Sequence, residues 1–254
     1  MSLEERVRPV LYINKIDRLI KELRLTPEKM QETLANVVQN FNELIDTYAE
    51  DEYKEKWKVS IQDGSVTFGS AKDRWAINID IMKKKGVTFK DVIDAYSDSG
   101  KVEDLVEKAP LAEGVLGMVV KHHPPPHVAQ KYRIPKIWKG DLESDTGKAL
   151  LACDDNGPTI MMCVNMTIDP AAGPVAIGRL FSGKIKDGQT INIIDTKREG
   201  RVQSVNFFMS NVREQVGELG AGNIPALLGL TEVRAGQTLS TVKGIPVFEA
   251  SKYV

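Results

Sequence analysis

The stretch "VLYINKIDRL", residues 10–19, joins a short apolar run to an abruptly polar end. Its first four residues are β-branched, aliphatic or aromatic, a composition that favours a buried strand. Asn14, Lys15 and Asp17 follow that run directly. Polar side chains at the carboxyl end of a strand in an α/β sheet lie in the crevice where ligands usually bind. The stretch therefore predicts a strand ending at a binding site, unless these residues only end the strand and cap the next helix.

The three polar residues have the chemistry to recognise a guanine base. The carboxylate of Asp17 can accept hydrogen bonds from both the N1–H and the exocyclic amine of guanine. Adenine lacks both donors in that arrangement, so its binding would leave the carboxylate poorly paired. The methylene stem of Lys15 can lie along the face of the base, and the amide of Asn14 can bridge the base and neighbouring loops. The choice of base is therefore predicted to depend on Asp17.

A second stretch, "VTFGSAKD" at residues 66–73, again combines a β-rich run with small residues at its end. Ser70 and Ala71 would let backbone N–H groups approach a ligand closely. Such an N–H group is the donor that the O6 atom of guanine needs. The stretch therefore predicts a second loop of the same site.

The rest of the first half is predicted to be mostly helical. Residues 26–48 form a long amphipathic helix, because apolar residues recur at spacings of three and four after a Thr-Pro start. The segment "KWKVSIQDGSVTFGSA", residues 56–71, has extended runs on both sides of Asp-Gly and favours a β-hairpin. Residues 72–123 have helical texture broken by glycine and proline.

The chain changes character after three consecutive prolines, residues 124–126. The polar, irregular stretch 124–149 is predicted to be a linker. Short β-rich runs then follow at turn-marked intervals over residues 150–243, a pattern typical of a small closed β-barrel. With 254 residues, the chain is long enough for two domains.

Composition excludes several classes of protein. The formal net charge of −1 gives no global attraction to nucleic acid or membrane, and 42% hydrophobic with 27% charged residues is ordinary for a globular protein. No stretch approaches the roughly 18 apolar residues of a membrane span, and no signal segment opens the chain. A cytoplasmic location is expected. The first residues, "MSL" at 1–3, are typical of a cloning leader.

Metal-binding and acid–base sites are not predicted. His122, His123 and His127 flank the prolines, but their spacing does not place three imidazoles on one face, so structural or solvent roles are expected. The two cysteines, Cys153 and Cys163, are too few for a four-ligand zinc site and are expected to be plain thiols. No catalytic residue is predicted in this chain.

Together these motifs resemble those of the translational GTPases. "NKID" (14–17) and "GSAK" (69–72) are similar to the base-recognition elements of that family, and "IGRLFSGKIKDGQTI" (177–191) and "LGAGNIPALLGL" (219–230) to its second domain. The segment "VVKHHPPPHVAQKYRIPKIWKGD" (119–141) narrows the resemblance to the archaeal and eukaryotic translocases. The implied fold class is α/β plus all-β: the helix-rich C-terminal part of a P-loop GTPase domain (4–123), a linker (124–149), a domain II β-barrel (150–243) and the start of another domain (244–254).

The resemblance implies roles for six residues, all in binding the nucleotide. Asn14, Lys15 and Asp17 match the guanine-specificity motif, and the second base-contacting loop is matched by Ser70, Ala71 and Lys72. The cofactor implied is GTP or GDP. The phosphate-binding motif GxxxxGK[ST] does not occur in the sequence, so the implied Mg²⁺ ligands lie elsewhere in a longer protein. The chain by itself is expected to bind nucleotide weakly at best and not to hydrolyse GTP.

The resemblance also implies partners. In this family the protein drives GTP-dependent translocation of tRNA and mRNA on the ribosome, as a monomer, with the β-barrel against small-subunit rRNA. Basic residues that would serve such a contact are Arg179, Lys184, Lys186, Lys197, Arg198 and Arg201. Two alternatives stay open: another ribosome-associated GTPase, and a non-enzymatic adaptor that binds RNA or protein.

Overall fold

The computed structural model describes residues 2–97, 100–170, 172–210 and 212–249. The chain divides into two compact units, Met1–Pro124 and Pro125–Val254. The predicted leader (1–3) and the predicted start of a further domain (244–254) lie partly outside the described residues. The domain limits derived from the sequence stay a prediction.

The described residues of the first unit form a short sheet and a series of helices. In chain order the elements are β1 (Leu11–Ile13), α1 (Ile16–Lys21), α2 (Pro27–Tyr48), α3 (Asp51–Trp57), β2 (Val66–Ser70), β3 (Trp75–Ile77), α4 (Ile79–Lys85), α5 (Phe89–Ala95), α6 (Val102–Lys108) and α7 (Leu111–His122).

The long helix predicted after Thr26 is confirmed as α2. The hydroxyl of Thr26 accepts a hydrogen bond from the N–H of Lys29 at 3.4 Å, which caps the helix start. Met30 and Leu34 are buried in the apolar core of the unit, where the fully buried ring of Trp75 also lies. The apolar periodicity of the sequence therefore places α2 with one face on the core.

The strands of the first unit pair in the order β1-β2-β3. β1 and β2 are parallel, with Ile13 opposite Phe68, whereas β2 and β3 are antiparallel, with Gly69 opposite Ala76. The predicted hairpin at 56–71 is wrong, because residues 61–64 form a turn and β2 pairs with distant β1 instead. β3 also interrupts the stretch that was predicted to be helical.

The second unit consists mostly of antiparallel strands, preceded by two helices. Its described elements are α8 (Pro126–Ile137), α9 (Asp145–Ala152), β4 (Ile160–Asp169), β5 (Gly173–Ser182), β6 (Lys184–Lys186), β7 (Thr190–Ile193), β8 (Arg198–Arg201), β9 (Ser204–Met209), β10 (Val212–Gln215), β11 (Glu218–Gly220), β12 (Ala226–Leu228) and β13 (Thr238–Ser240). Across the described part of the chain, no helix is long and apolar enough to span a membrane.

The stretch 124–149 is not irregular, because it contains α8 and the start of α9. The side-chain amide of Gln130 on α8 donates to the carbonyl oxygens of Leu150 and Phe181, at 2.5 and 2.9 Å. The indole N–H of Trp138 donates to the carbonyl of Pro246 at 2.8 Å. These contacts hold α8 against α9, the end of β5 and the segment around Pro246.

The β-rich second half is confirmed as a multi-stranded antiparallel sheet. Its strands are ordered β10-β9-β12-β5-β4-β13-β7-β8, and β11 and β6 form a separate pair. Within the described residues no pairing joins the two outer strands, β10 and β8. A closed barrel is therefore not shown by the strand pairing.

Candidate functional site

The two sequence motifs meet at one edge of the sheet in the first unit. β1 ends at Ile13, β2 ends at Ser70, and the two strands are parallel neighbours. Their carboxyl ends therefore lie side by side, as at the ligand-binding edge of an open α/β sheet. The segments that leave this edge are Asn14–Asp17 and Ala71–Asp73.

Asn14 joins the two motifs directly. Its side-chain oxygen accepts hydrogen bonds from the backbone N–H of Ala71 at 2.9 Å and from that of Lys15 at 2.8 Å. The loop contact that the sequence predicts for Asn14 is therefore present, across 57 positions of sequence. The bond also occupies the Ala71 N–H that was predicted to face guanine O6. The amide nitrogen of Asn14 has no protein partner among the described residues and offers another donor at the same edge.

Lys15 begins α1 in a left-handed conformation, with φ of +66°. This conformation is unusual for a residue other than glycine and turns the chain sharply between the strand and the helix. Lys15 makes no side-chain capping bond, and the side-chain oxygen of Asn14 is engaged by Ala71 and Lys15 rather than by the helix interior. Helix capping therefore does not account for these side chains.

Asp17 is 7% exposed, although it is a carboxylate beside an open sheet edge. Among the described residues no hydrogen bond or ion pair to its carboxylate is found. Its charge acts on two tyrosines: burial raises the pKa of Tyr12, and the Asp17 charge raises it further, as it also does for Tyr96. Without a partner among the described residues, its oxygens are available as acceptors for a ligand's N–H groups.

The second loop is built around Ser70 and Gly69. Ser70 is fully buried, and its hydroxyl accepts a hydrogen bond from the N–H of Asp73 at 3.1 Å, which closes the turn. Ala71 and Lys72 lie exposed at the tip of that turn. At Gly69 a Cβ atom would collide with the carbonyl oxygen of Trp75 and approach the Tyr12 hydroxyl to 2.9 Å. Glycine is therefore required here for β2 to pack against its neighbours.

The basic residues of the second unit are partly neutralised by acidic neighbours. Lys184 and Lys186 share Glu218, at 3.6 and 2.9 Å, and Arg198 pairs with Glu232 at 2.9 Å. Burial lowers the pKa of Arg179, which is therefore not a freely solvated cation. The exposed cations Lys197 and Arg201 form no ion pair within the described part of the chain, and Arg201 donates to the carbonyl of Gly188 at 3.3 Å.

The three histidines do not form one site in the described structure. His122 is buried, with its Nε2 atom 3.1 Å from the carbonyl oxygen of Asp63. His123 is half-buried and His127 is exposed. Among the described residues no group of three or more His, Cys, Asp or Glu side chains has the arrangement of a metal site.

We expect His122 to make the first unit less stable in mild acid. Burial lowers the pKa of His122 below its ordinary value of 6.5 despite the nearby Asp63 carboxylate. Below about pH 6.5 the unfolded chain therefore binds a proton that the folded chain excludes, so the free energy of unfolding falls as pH falls through this window. Urea unfolding of the first unit between pH 5 and 7.5 measures the slope. His122→Gln should flatten it, whereas His127→Gln should not; equal slopes in all three proteins would contradict the assignment.

Comparisons with known proteins identify relatives of this chain. Residues 173–240 match the family model described as Elongation factor Tu domain 2. The whole chain is 80% identical over 254 residues to "Elongation factor 2" of Cenarchaeum symbiosum (strain A). Over its whole length the chain is homologous to elongation factor 2. The resemblance derived from the sequence motifs is thereby confirmed at the level of elongation factor 2.

Other elongation factor 2 proteins match at greater distance. Those of Sulfurisphaera tokodaii and Methanocaldococcus jannaschii are each 49% identical over 100% of this chain. In all three comparisons the chain covers 35% of the relative, so it spans about a third of the length of these elongation factor 2 proteins.

Sequence reasoning missed the residues that surround the two motifs. The charge of Asp17 raises the pKa of Tyr12 and Tyr96, and the Tyr96 hydroxyl donates a 2.6 Å hydrogen bond to Asp73. Tyr96 lies 23 positions from Asp73, in a segment whose helical pattern carries no sign of a site. Only the tertiary fold brings it to the sheet edge.

Proposed function

We propose that this chain is the guanine-recognition part and the second domain of a translation elongation factor 2 that promotes GTP-dependent translocation of tRNA and mRNA on the ribosome. The observation that carries the proposal is the 2.9 Å hydrogen bond between the Asn14 side chain and the Ala71 N–H, beside the buried Asp17, whose carboxylate has no partner among the described residues. It unites the two loops that the motifs assign to one base. The ligand is GTP or GDP, bound through its guanine.

The proposed recognition uses the acceptors and donors of this edge. The Asp17 carboxylate accepts the two guanine N–H groups, and the exposed stem of Lys15 covers one face of the base. The Asn14 amide nitrogen donates a hydrogen bond to an acceptor atom of the base. The Ala71 N–H makes a bifurcated hydrogen bond, to the Asn14 side-chain oxygen and to guanine O6. Ser70 closes the turn that presents Ala71, and Lys72 lies exposed beside Ala71 in the same loop.

Hydrolysis requires groups that this chain's sequence does not supply. A phosphate-binding loop, Mg²⁺ and a positioned water act at the γ-phosphate in such enzymes. The GTPase reaction is therefore a property that we propose for the longer protein, with its Mg²⁺ ligands outside these 254 residues. This chain by itself is proposed to be inactive.

The second unit is proposed to be a closed domain II barrel that lies against small-subunit rRNA. Closure is supported by backbone bonds that tie the β6–β11 pair to the large sheet: Val216 and Gly217, which lead into β11, both donate to the carbonyl of Val205 on β9. Exposed Lys197 and Arg201 would contact phosphates, which position a protein without selecting sequence. A cytoplasmic, monomeric protein is proposed.

An NMR titration of ¹⁵N-labelled chain tests base recognition without needing hydrolysis. We expect GMP to shift the backbone signals of Lys15, Ala71 and Lys72 saturably in the millimolar range, since the base site alone supplies the affinity. AMP should bind at least about 10-fold more weakly, because it cannot satisfy Asp17. Equal responses to GMP and AMP, or none to either, would refute guanine recognition and favour the adaptor alternative.

A further inference from the structure

A chain of hydrogen bonds leads from the second base-contacting loop to a tyrosine outside both motifs. The Tyr96 hydroxyl donates to the Asp73 carboxylate at 2.6 Å, and it accepts the indole N–H of Trp75 at 2.6 Å. Trp75 is fully buried in β3, so its N–H needs this acceptor. The Tyr96 hydroxyl therefore has both its donor and its acceptor role filled by these two neighbours.

Asp73 transmits this constraint to the loop tip. Its backbone N–H donates to the Ser70 hydroxyl at 3.1 Å, and Ser70 is fully buried at the end of β2. Ala71 and Lys72 lie between these two anchored residues. Holding Asp73 therefore holds the turn that presents the Ala71 N–H to Asn14.

Tyr96 also contacts the helix that carries Asp17. The Lys21 ammonium lies 4.6 Å from the centre of the Tyr96 ring, within the range of a cation–π interaction. Lys21 is the last residue of α1, four positions after Asp17. One side chain thus touches both elements of the proposed base site, although its segment belongs to neither.

We propose that Tyr96 is a positioning residue for guanine recognition, which holds the Ser70–Asp73 turn and α1 at the separation that lets Asp17 and Ala71 meet one base. The inference rests on the proposed function. Burial raises the pKa of Tyr96, and its hydrogen bond to Asp73 raises it further, so the hydroxyl remains a donor at neutral pH. Tyr96 acts through Asp73 and Lys21 and does not itself bind the nucleotide.

Tyr96→Phe tests the inference, because it deletes the hydroxyl and keeps the ring over Lys21. We expect GMP binding, followed through the Ala71 and Lys15 amide signals, to weaken about 5–10-fold. Asp73→Ala should weaken it by the same factor. Tyr96→Phe also removes the acceptor of the Trp75 indole N–H, but both substitutions break the bond between Tyr96 and Asp73, so the double variant should bind GMP no more weakly than Tyr96→Phe alone.

Two further variants separate positioning from general damage. Asp73→Asn keeps an acceptor oxygen for the Tyr96 hydroxyl and should restore GMP binding to within about 2-fold of wild type. Tyr48→Phe removes the same atom from a tyrosine that is 53% exposed on α2 and should change nothing. All titrations report on folded protein, since the folded and unfolded amide signals are separate.

The outcomes distinguish this inference from the proposed function. If wild-type chain gives no GMP response, the proposed function fails first. If wild-type chain responds and Tyr96→Phe binds GMP equally well, only the positioning role is overturned. The positioning role would also be overturned if the fold-loss of GMP affinity in the double variant equalled the product of the two single losses, because Tyr96 and Asp73 would then act independently.

Discussion

Replacing Asp17 by alanine should weaken GMP binding to this chain by at least about 100-fold, beyond detection in a millimolar NMR titration. Two hydrogen bonds to an ionised acceptor are lost, each worth roughly 1.5–3 kcal/mol, and tenfold in affinity corresponds to about 1.4 kcal/mol. The fold should change little, because the deleted carboxylate has no partner in the described residues and only its place in the first turn of α1 favours a negative charge. Urea unfolding of Asp17→Ala should therefore show a loss of stability of no more than about 1 kcal/mol.

Asp17→Asn is the matched control, because it keeps the size and shape of the side chain and changes only its charge and hydrogen-bonding groups. Its amide keeps one acceptor for the base N1–H but turns the other acceptor into a donor. This variant should bind GMP more weakly than wild type does. It should bind xanthosine monophosphate better than wild type does, because the xanthine base carries a carbonyl where guanine has the amine. GMP binding by Asp17→Ala at wild-type strength would exclude Asp17 as the base selector.

Gly69→Ala should lower the free energy of unfolding of the first unit by about 3 kcal/mol, as expected for overpacking against backbone. The new Cβ atom would collide with the Trp75 carbonyl and lie 3.0 Å from the Cα atom of Ala76, both in the paired strand β3. Neither group can rotate away. Hydrogen exchange of the β2 amides, together with urea unfolding, measures the loss for this unit alone. The GMP response should fall with it, since β2 carries the second loop.

Gly117→Ala, in the same unit, should instead raise the free energy of unfolding. Gly117 lies inside α7, and a Cβ atom there would meet no heavy atom within 4 Å. Alanine in a helix interior stabilises by up to about 1 kcal/mol relative to glycine. If Gly69→Ala were as stable as Gly117→Ala, the close packing of β2 on β3 would be wrong.

The elements that could be predicted from sequence are those whose signals are local. α2 was predicted because its cap at Thr26 and its apolar spacing lie within one continuous segment. The strands of the second unit were predicted because turn residues divide them at short intervals. In both cases the physical preference is decided by neighbours in the chain.

The prediction of a hairpin at 56–71 was wrong because strands can pair with segments that are distant in the sequence. Phe68 pairs with Ile13 in β1 and with Ile77 in β3, rather than with the residues before the Asp-Gly turn. The prediction of an irregular stretch at 124–149 was wrong for a related reason. Buried contacts such as that of Gln130 with Phe181 stabilise a helix whose own sequence is polar and proline-rich.

By itself, the sequence determined which residue types stand at the end of each motif strand, and it thereby predicted a guanine site with Asp17 as its selector. Only the tertiary structure decided that Asn14 bonds the Ala71 N–H, and that Tyr96 connects Asp73 to α1. The physical reason is that residue chemistry is local and can be assigned from one segment. Distances between segments depend on the parallel pairing of β1 with β2 and on burial, which the whole chain sets together.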